Sequence, residues 1–337
     1  MTAEHASEDV DDETTAATAE SSAAAATAVQ VTTGARLHLG PLNWPGPQAG
    51  DRPDFGGLGM MIEQPATRVL ARPAAAWDAL VCERPKLLAA LDNDPPRDVT
   101  LQATAPPHAG LGSGTQRELA IAAACGVPRE PEALAAATGR GRRSAIGLHG
   151  FCRGGVLRDG GRPQGEAIGQ LVRREPAPNW PLLLVRLPER SSEGLSGAAE
   201  RAAFAQLPAM SPDIRGRLKD LATEALDTLA DPVGFARAAT EFGQLVGRFF
   251  APVQGGVMAD DRWLALLEPL QAAGCGAVQS SWGPTVAVLG DVDRALPLLP
   301  EGSDIERVTI RDAPAEIMTA RGTSGFEESL RALTDPL

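Results

Sequence analysis

Residues 105–124, "APPHAGLGSGTQRELAIAAA", set a glycine-rich turn directly before a run of helix formers. Gly110, Gly112 and Gly114 let the backbone take positive φ and come close to a ligand with no side chain in the way. Leu111 separates the first two, Ser113 and Thr115 add hydroxyls, and Gln116 follows in the run "TQRELAIAAACG", which has high helix propensity. Free N–H groups at such a helix start, together with the positive end of its dipole, make an anion site. The stretch therefore predicts a phosphate-binding loop, with a serine-capped helix after a glycine turn as the competing reading.

Around it, strands and helices mix without a regular βαβ repeat, which predicts an α+β fold rather than a doubly wound sheet. Upstream, "VQVTTGARLHLG" alternates as a strand does, and "PLNWPGPQAGDRPDFGGLGMM" reads as a long Gly/Pro loop of the kind that binds ligands. Further strands are expected at "DVTLQATA", "RGGVLRD", "WPLLLVRL", "PTVAVLG" and "ERVTIRD". Helices fit "PEALAAATG", "SGAAERAAFAQL", "PDIRGRLKDLATEALDTL", "DPVGFARAATEFGQLVGRFF" and "DDRWLALLEPLQAAG". In the fourth of these, Phe235, Ala239, Phe242, Val246 and Phe249 recur at steps of three and four and form a core face.

The first 28 residues carry seven acids and no Lys or Arg, and read as a disordered acidic tail. They lack the basic and apolar regions of a secretory signal, so a cytoplasmic protein is expected. Without those acids the net charge falls from −12 to −5, which favours neither a nucleic-acid nor an anionic-membrane partner. Cys82, Cys125, Cys152 and Cys275 are widely spaced, as core thiols in a reducing compartment are. The Pro-rich "REPAPNWP" predicts a boundary between domains at 29–177 and 178–337.

Taken in order, "ARLHLG", "FGGLGMMIEQP", "HAGLGSGTQ", "GRGRRSAIG", "GFCRGGVLRDGG", "GLSGAAERAAF", "FFAPVQGG" and "QSSWGPTV" resemble the β-ribofuranosylaminobenzene 5′-phosphate synthase family of the GHMP kinase superfamily. The likeness runs from about residue 31 to about residue 290. It implies a two-domain GHMP kinase-like fold and a magnesium-dependent homodimer. The implied reaction condenses phosphoribosyl pyrophosphate (PRPP) with 4-aminobenzoate, releasing diphosphate and carbon dioxide, as an early step toward methanopterin. The sequence departs from the family at Cys152, where an acid is more usual, and its last forty-seven residues match only loosely.

Many GHMP kinases carry an aspartate in a segment resembling "PSGID"; here that stretch is "RSAIG" and the aspartate position falls on Gly147. Phosphoryl transfer to an alcohol benefits from a base that takes its proton, whereas a condensation that expels carbon dioxide has no such need. A small-molecule kinase using ATP is the enzymatic alternative, and a phosphate-ligand sensor without chemistry is the other.

Candidate residues follow from these demands. The Gly110–Gln116 loop would grip the leaving diphosphate. Arg140, Arg142 and Arg143, followed by Ser144, offer guanidinium forks for anions, or else form a solvated basic turn. In "QSSW", Gln279, Ser280 and Ser281 present polar groups, and Trp282 offers a flat face to an aromatic acid. Gly255 and Gly256 mark either a ligand approach or a tight turn between helices. Asp54 and Ser113 are the candidate magnesium ligands, Asp54 being equally a turn former. Arg36 and His38 share one face of a strand; Arg36 is a candidate catalytic residue with Arg143, Ser281 and Trp282, while His38 suits a site or a core. His149 follows "SAIG" closely, and Asp159 fits a hairpin turn better than a metal.

Overall fold

The computed structural model describes residues 27–47, 55–188 and 197–321. Asp54 and residues 1–26 of the expected tail lie outside them. The last two residues assigned to the tail, Thr27 and Ala28, instead begin a strand and pair with Arg321 and Ala320.

Strands β1 (Thr27–Gly40) and β2 (Gly57–Pro73) form the centre of a six-stranded antiparallel sheet. Short helices α1 (Ala79–Cys82) and α2 (Pro85–Ala90) lead to β3 (Arg97–Ala103), which pairs with the second half of β2. The glycine turn follows, then α3 (Ser113–Cys125), α4 (Pro131–Thr138) and α5 (Ile146–Arg153). Strand β4 (Val156–Asp159) pairs with the first half of β2, and β5 (Leu171–Glu175) lies beside β4.

A second, four-stranded antiparallel sheet contains β6 (Leu182–Arg186), β7 (Cys275–Gln279), β8 (Val286–Gly290) and β9 (Asp304–Val308), in the order β7–β8–β6–β9. Between β6 and β7 run α6 (Gly197–Gln206), α7 (Pro212–Asp227), α8 (Pro232–Gln254) and α9 (Arg262–Ala272). Helix α10 (Val292–Ala295) follows β8. After β9 the chain returns to the first sheet, where β10 (Glu316–Arg321) lies antiparallel to β1. The first sheet thus draws strands from both sides of residue 178.

Helix α8 sets the spacing of the two sheets. Its start is built from Asp231, whose carboxylate accepts the Val233 N–H at 3.1 Å, and from Pro232 in the first turn; it ends at Gly255 in the left-handed region with φ 89°. Phe235, Ala239, Phe242 and Val246 are buried as their periodicity requires, and Phe249 packs against the same core. That core joins Leu37, Leu58 and Met60 of the first sheet to Val278 and Leu289 of the second. On the far face of the first sheet, α3, α4 and α5 bury Leu119, Leu134 and Phe151 against Val31 and Val69. On the far face of the second, Trp263 and Leu270 of α9 cover Ala277 and Val288.

Two elements differ from expectation for physical reasons. The stretch read as loop through Met61 becomes strand at Gly57, because Gly57–Ile62 is buried on both faces and shows no alternation. Helix α5 holds two glycines and was not foreseen. A Cβ at Gly150 would stand 2.5 Å from Met61, so close packing on β2 accounts for one of them.

Candidate functional site

The glycine turn reaches α3 through left-handed backbone at His108, Gly110 and Gly112. A Cβ on Gly110 would meet the Ser280 carbonyl at 2.2 Å, so this position requires glycine twice over. Gly112, not a serine, precedes the helix, which makes Ser113 its first residue and excludes the serine-cap reading. The Ser113 and Gly114 N–H groups find no acceptor among the described residues, as at any helix start.

β1 carries Arg36 and His38 alongside this loop. The Arg36 N–H donates to the Leu111 carbonyl at 2.9 Å. Its side chain lies over Gly112, where a Cβ would come within 3.1 Å of Nε. The His38 N–H donates to Ser280 Oγ at 3.1 Å, and the Ser281 N–H donates to the His38 carbonyl at 2.8 Å. Ser280 Oγ in turn donates to the Gly110 carbonyl at 2.8 Å. One buried serine therefore ties the glycine turn, β1 and the "QSSW" turn together across 170 residues of sequence.

These elements surround a cavity of about 550 Å³. Its wall includes Arg36, Arg140, Arg142, Arg143 and Arg201, with Thr115 and Ser144. It also includes four aromatic rings: Phe55, Phe204 of α6, Phe250 of α8 and Trp282. The Trp282 ring centroid lies 4.6 Å from that of Phe250 and 5.6 Å from that of Phe204, within the range of favourable aromatic pairs. Gln279 and Ser281 complete the rim. Gln279 Nε2 donates to the Ser281 carbonyl at 3.0 Å, while Ser281 itself holds a left-handed φ of 57°, a strained conformation for a side-chain-bearing residue.

The cavity does not gather every expected residue. Gly110, Leu111, Gly112, Ser113 and Gly114 stand behind the wall, which the loop reaches through Thr115. Gln116 is fully buried, bonded to Thr33 Oγ1 and to the Gly147 carbonyl, and supports the frame. Gly255 and Gly256 cap α8 and turn toward α9 outside the wall, which Gln254 reaches instead. His149 bonds the Gly169 carbonyl at 2.8 Å, also outside it. Asp159 is buried and accepts the Ala145 N–H at 2.5 Å and the Gly161 N–H at 2.8 Å, so it holds the start of α5.

Phe204, Phe250 and Glu200 in the wall are not legible as site residues in the sequence. Phe204 and Phe250 fall in helical segments whose apolar residues look like ordinary core. Glu200, also on α6, supplies a carboxylate that a search along the sequence near Gly147 does not find. It accepts from Arg143 at 2.6 Å, and the Arg143 guanidinium stands 6.0 Å above the Phe204 ring. Gly147 itself borders the site: a Cβ there would lie 3.2 Å from Thr115 Cγ2 and 3.4 Å from Arg36 Cδ.

Burial tunes the charges. The Arg36 guanidinium is pushed down to about 10, chiefly by loss of water, with Glu200 acting in the opposite sense; its Nε has no partner among the described residues. Arg140 is lowered for the same first reason, against the pull of Glu118. His38 is held well below its ordinary 6.5 by burial and then by Arg36, and is neutral at physiological pH. Its Nε2 is buried without a partner. A buried polar atom left so costs about 1–3 kcal/mol.

A metal has few protein ligands here. Among the described residues no three His, Cys, Asp or Glu side chains gather to hold one. Glu200 and the Thr115 hydroxyl do suit a magnesium ion that arrives chelated by phosphates and keeps much of its water, while Ser113, expected as a ligand, stands outside the wall.

Comparison with solved structures gives a GHMP kinase-like fold over most of the chain. Mevalonate diphosphate decarboxylase from Staphylococcus aureus is 14% identical, with TM-score 0.59, covering 87% of this chain and 98% of its own. Mevalonate pyrophosphate decarboxylase from Streptococcus pyogenes is 14% identical at TM-score 0.59, over 85% and 98%. Homoserine kinase from Cytophaga hutchinsonii is 15% identical at TM-score 0.54, over 86% and 97%. A complex of MDDEF with MVAPP, AMPPCP and magnesium is similar as well, 13% identical at TM-score 0.59, over 88% and 100%. No family model matches the chain, and no curated protein matches its sequence.

Proposed function

We propose that this protein is a synthase that joins PRPP to 4-aminobenzoate or 4-hydroxybenzoate, with release of diphosphate and carbon dioxide. The observation that carries the proposal is a single cavity lined by both arginines and aromatic rings. A kinase for a small aliphatic alcohol has no use for four aromatic rings beside its phosphate site; a reaction between a phosphorylated sugar and an arene needs both surfaces.

In this reading the Arg36, Arg140, Arg142 and Arg143 guanidinium groups, with Thr115 of α3, hold the phosphates. Phe204, Phe250 and Trp282 hold the arene with its carboxylate-bearing carbon toward the anomeric carbon. A bond forms between those two carbons as the anomeric C–O bond breaks and its electron pair leaves on diphosphate. The ring–carboxylate bond then breaks, its pair returns to the ring, and no net proton is released. Orientation and exclusion of water are what the protein contributes most. Magnesium, when bound through Glu200 and the substrate phosphates, would offset charge growing on the leaving diphosphate. The substrates are small molecules, with no nucleic-acid or membrane partner. A cytoplasmic homodimer completes the reading; among the described residues no helix is long and apolar enough to cross a membrane.

Glu200 favours a second reading, an ATP-dependent small-molecule kinase with this acid in place of the one missing at Gly147. One assay separates them. Purified protein is incubated with magnesium, PRPP and carboxyl-labelled 4-aminobenzoate, with ATP replacing PRPP as control. Labelled carbon dioxide that requires PRPP is the expected result; ATP consumption with small alcohols and no carbon dioxide release would install the kinase instead.

A further inference from the structure

His38 is 8% exposed and lines the cavity, and among the described residues no side-chain hydrogen bond reaches its ring; Nε2 is closed off from solvent against Gly57, so it is the opposite edge of the imidazole that faces the cavity. Its backbone is pinned on both sides, by Ser280 Oγ to its N–H and by the Ser281 N–H to its carbonyl, so the imidazole has little freedom to seek a partner elsewhere. Gly57 makes room for it, since a Cβ there would stand 2.7 Å from Nε2. A polar ring fixed this way, beside a cavity and without a protein partner, is built to bond a ligand.

The character of that ligand group follows from charge. Arg36 stands two residues away on the same face and, in the synthase reading, serves the phosphates. An uncharged imidazole has one N–H and one lone pair, which suits an amine or a hydroxyl and not a phosphate. Position narrows it further. From Arg36 to His38 is two strand residues, about 6.6 Å along β1 toward Gly40. That span is close to the length of a benzene ring with its para substituent.

Resting on the synthase reading, we infer that His38 binds the para substituent of the aryl acid and sets the preference between amine and hydroxyl. As the ring carbon bonds to the sugar, the para nitrogen gives electron density to the ring and its N–H becomes more acidic. A hydrogen bond accepted by His38 strengthens at that moment, which is where it raises turnover.

The test compares wild type, His38→Leu and His38→Gln, all checked for folding by thermal melting. Calorimetry with magnesium diphosphate present measures binding of 4-aminobenzoate, 4-hydroxybenzoate, benzoate and 4-methylbenzoate. The labelled carbon dioxide assay gives kcat/KM for the two competent substrates. Wild type should bind 4-aminobenzoate about tenfold tighter than benzoate. His38→Leu should bring that ratio to about one and shift the amine-to-hydroxyl ratio of kcat/KM, while His38→Gln, whose amide occupies similar space with a donor and an acceptor, should recover part of both. Unchanged selection in a folded His38→Leu protein overturns the assignment. So does an equal loss for all four acids, which would place the imidazole on the sugar hydroxyls or in the frame. A wild-type protein that releases no carbon dioxide with PRPP instead removes the synthase reading, and this inference with it.

Discussion

Arg36 is the most constrained charge in the site, stripped of water, packed over Gly112 and short of a partner at Nε. Replacing it by methionine should keep the fold and lower kcat by about 10²–10³-fold, the scale of losing one preorganised donor to developing negative charge. Steady-state kinetics beside a melting curve checks this, and a drop confined to KM would demote Arg36 to a ground-state binder. His38 gives a different signature. Its folded-state value lies below the unfolded one, so the unfolded chain binds more protons as pH falls under 6.5. Its stability contribution is complete above that pH and is lost on acidification, by about 1.4 kcal/mol per pH unit until the native imidazole titrates. Urea denaturation of wild type and His38→Gln between pH 7 and pH 5 should show a shallower acid limb in the variant; equal limbs would contradict a neutral buried His38. Both residues are legible from the i, i+2 spacing of "ARLHLG", but their depth is not, because burial depends on the loop and helices that close over them.

At the scale of elements, the glycine turn, β1 and the "QSSW" turn meet at Ser280, whose hydroxyl donates to the Gly110 carbonyl and accepts from the His38 N–H. Ser280→Ala leaves both buried groups unpaired, and should cost about 1–3 kcal/mol and loosen the turn. Hydrogen exchange at Gly110–Thr115 reads this directly, and unchanged protection would show that the turn stands without Ser280. Gly147 gives the converse case. A methyl there presses on Thr115 and Arg36, so Gly147→Ala should lower turnover more than stability, with melting and kinetics compared on one preparation. The sequence shows α3 through its helix propensity and α8 through its periodicity, and the motif "RSAIG" points to Gly147. It hides Glu200, Phe204 and Phe250, because a helix face turned to a cavity carries the same residue types as one turned to a core. It also hides β2, whose both-sided burial removes the alternation by which strands are recognised.

At the scale of the whole molecule, the two sheets are joined by more than α8. Ile62 bridges Ile310, the Arg311 N–H donates to the Met61 carbonyl at 2.9 Å, and Arg311 pairs with Glu63 at 2.6 Å. The last described strand, β10, then covers the outer edge of β1. Strand order of this kind is set by long-range pairing and leaves little trace in local sequence, which is why the chain's return to its first sheet was not anticipated. Its consequence falls on the nascent chain. A ribosome releases β1 almost 300 residues before its edge partner exists, so throughout synthesis residues 27–32 offer an open ladder to any neighbouring strand. The order of synthesis thus leaves that edge exposed until β10 emerges to cover it.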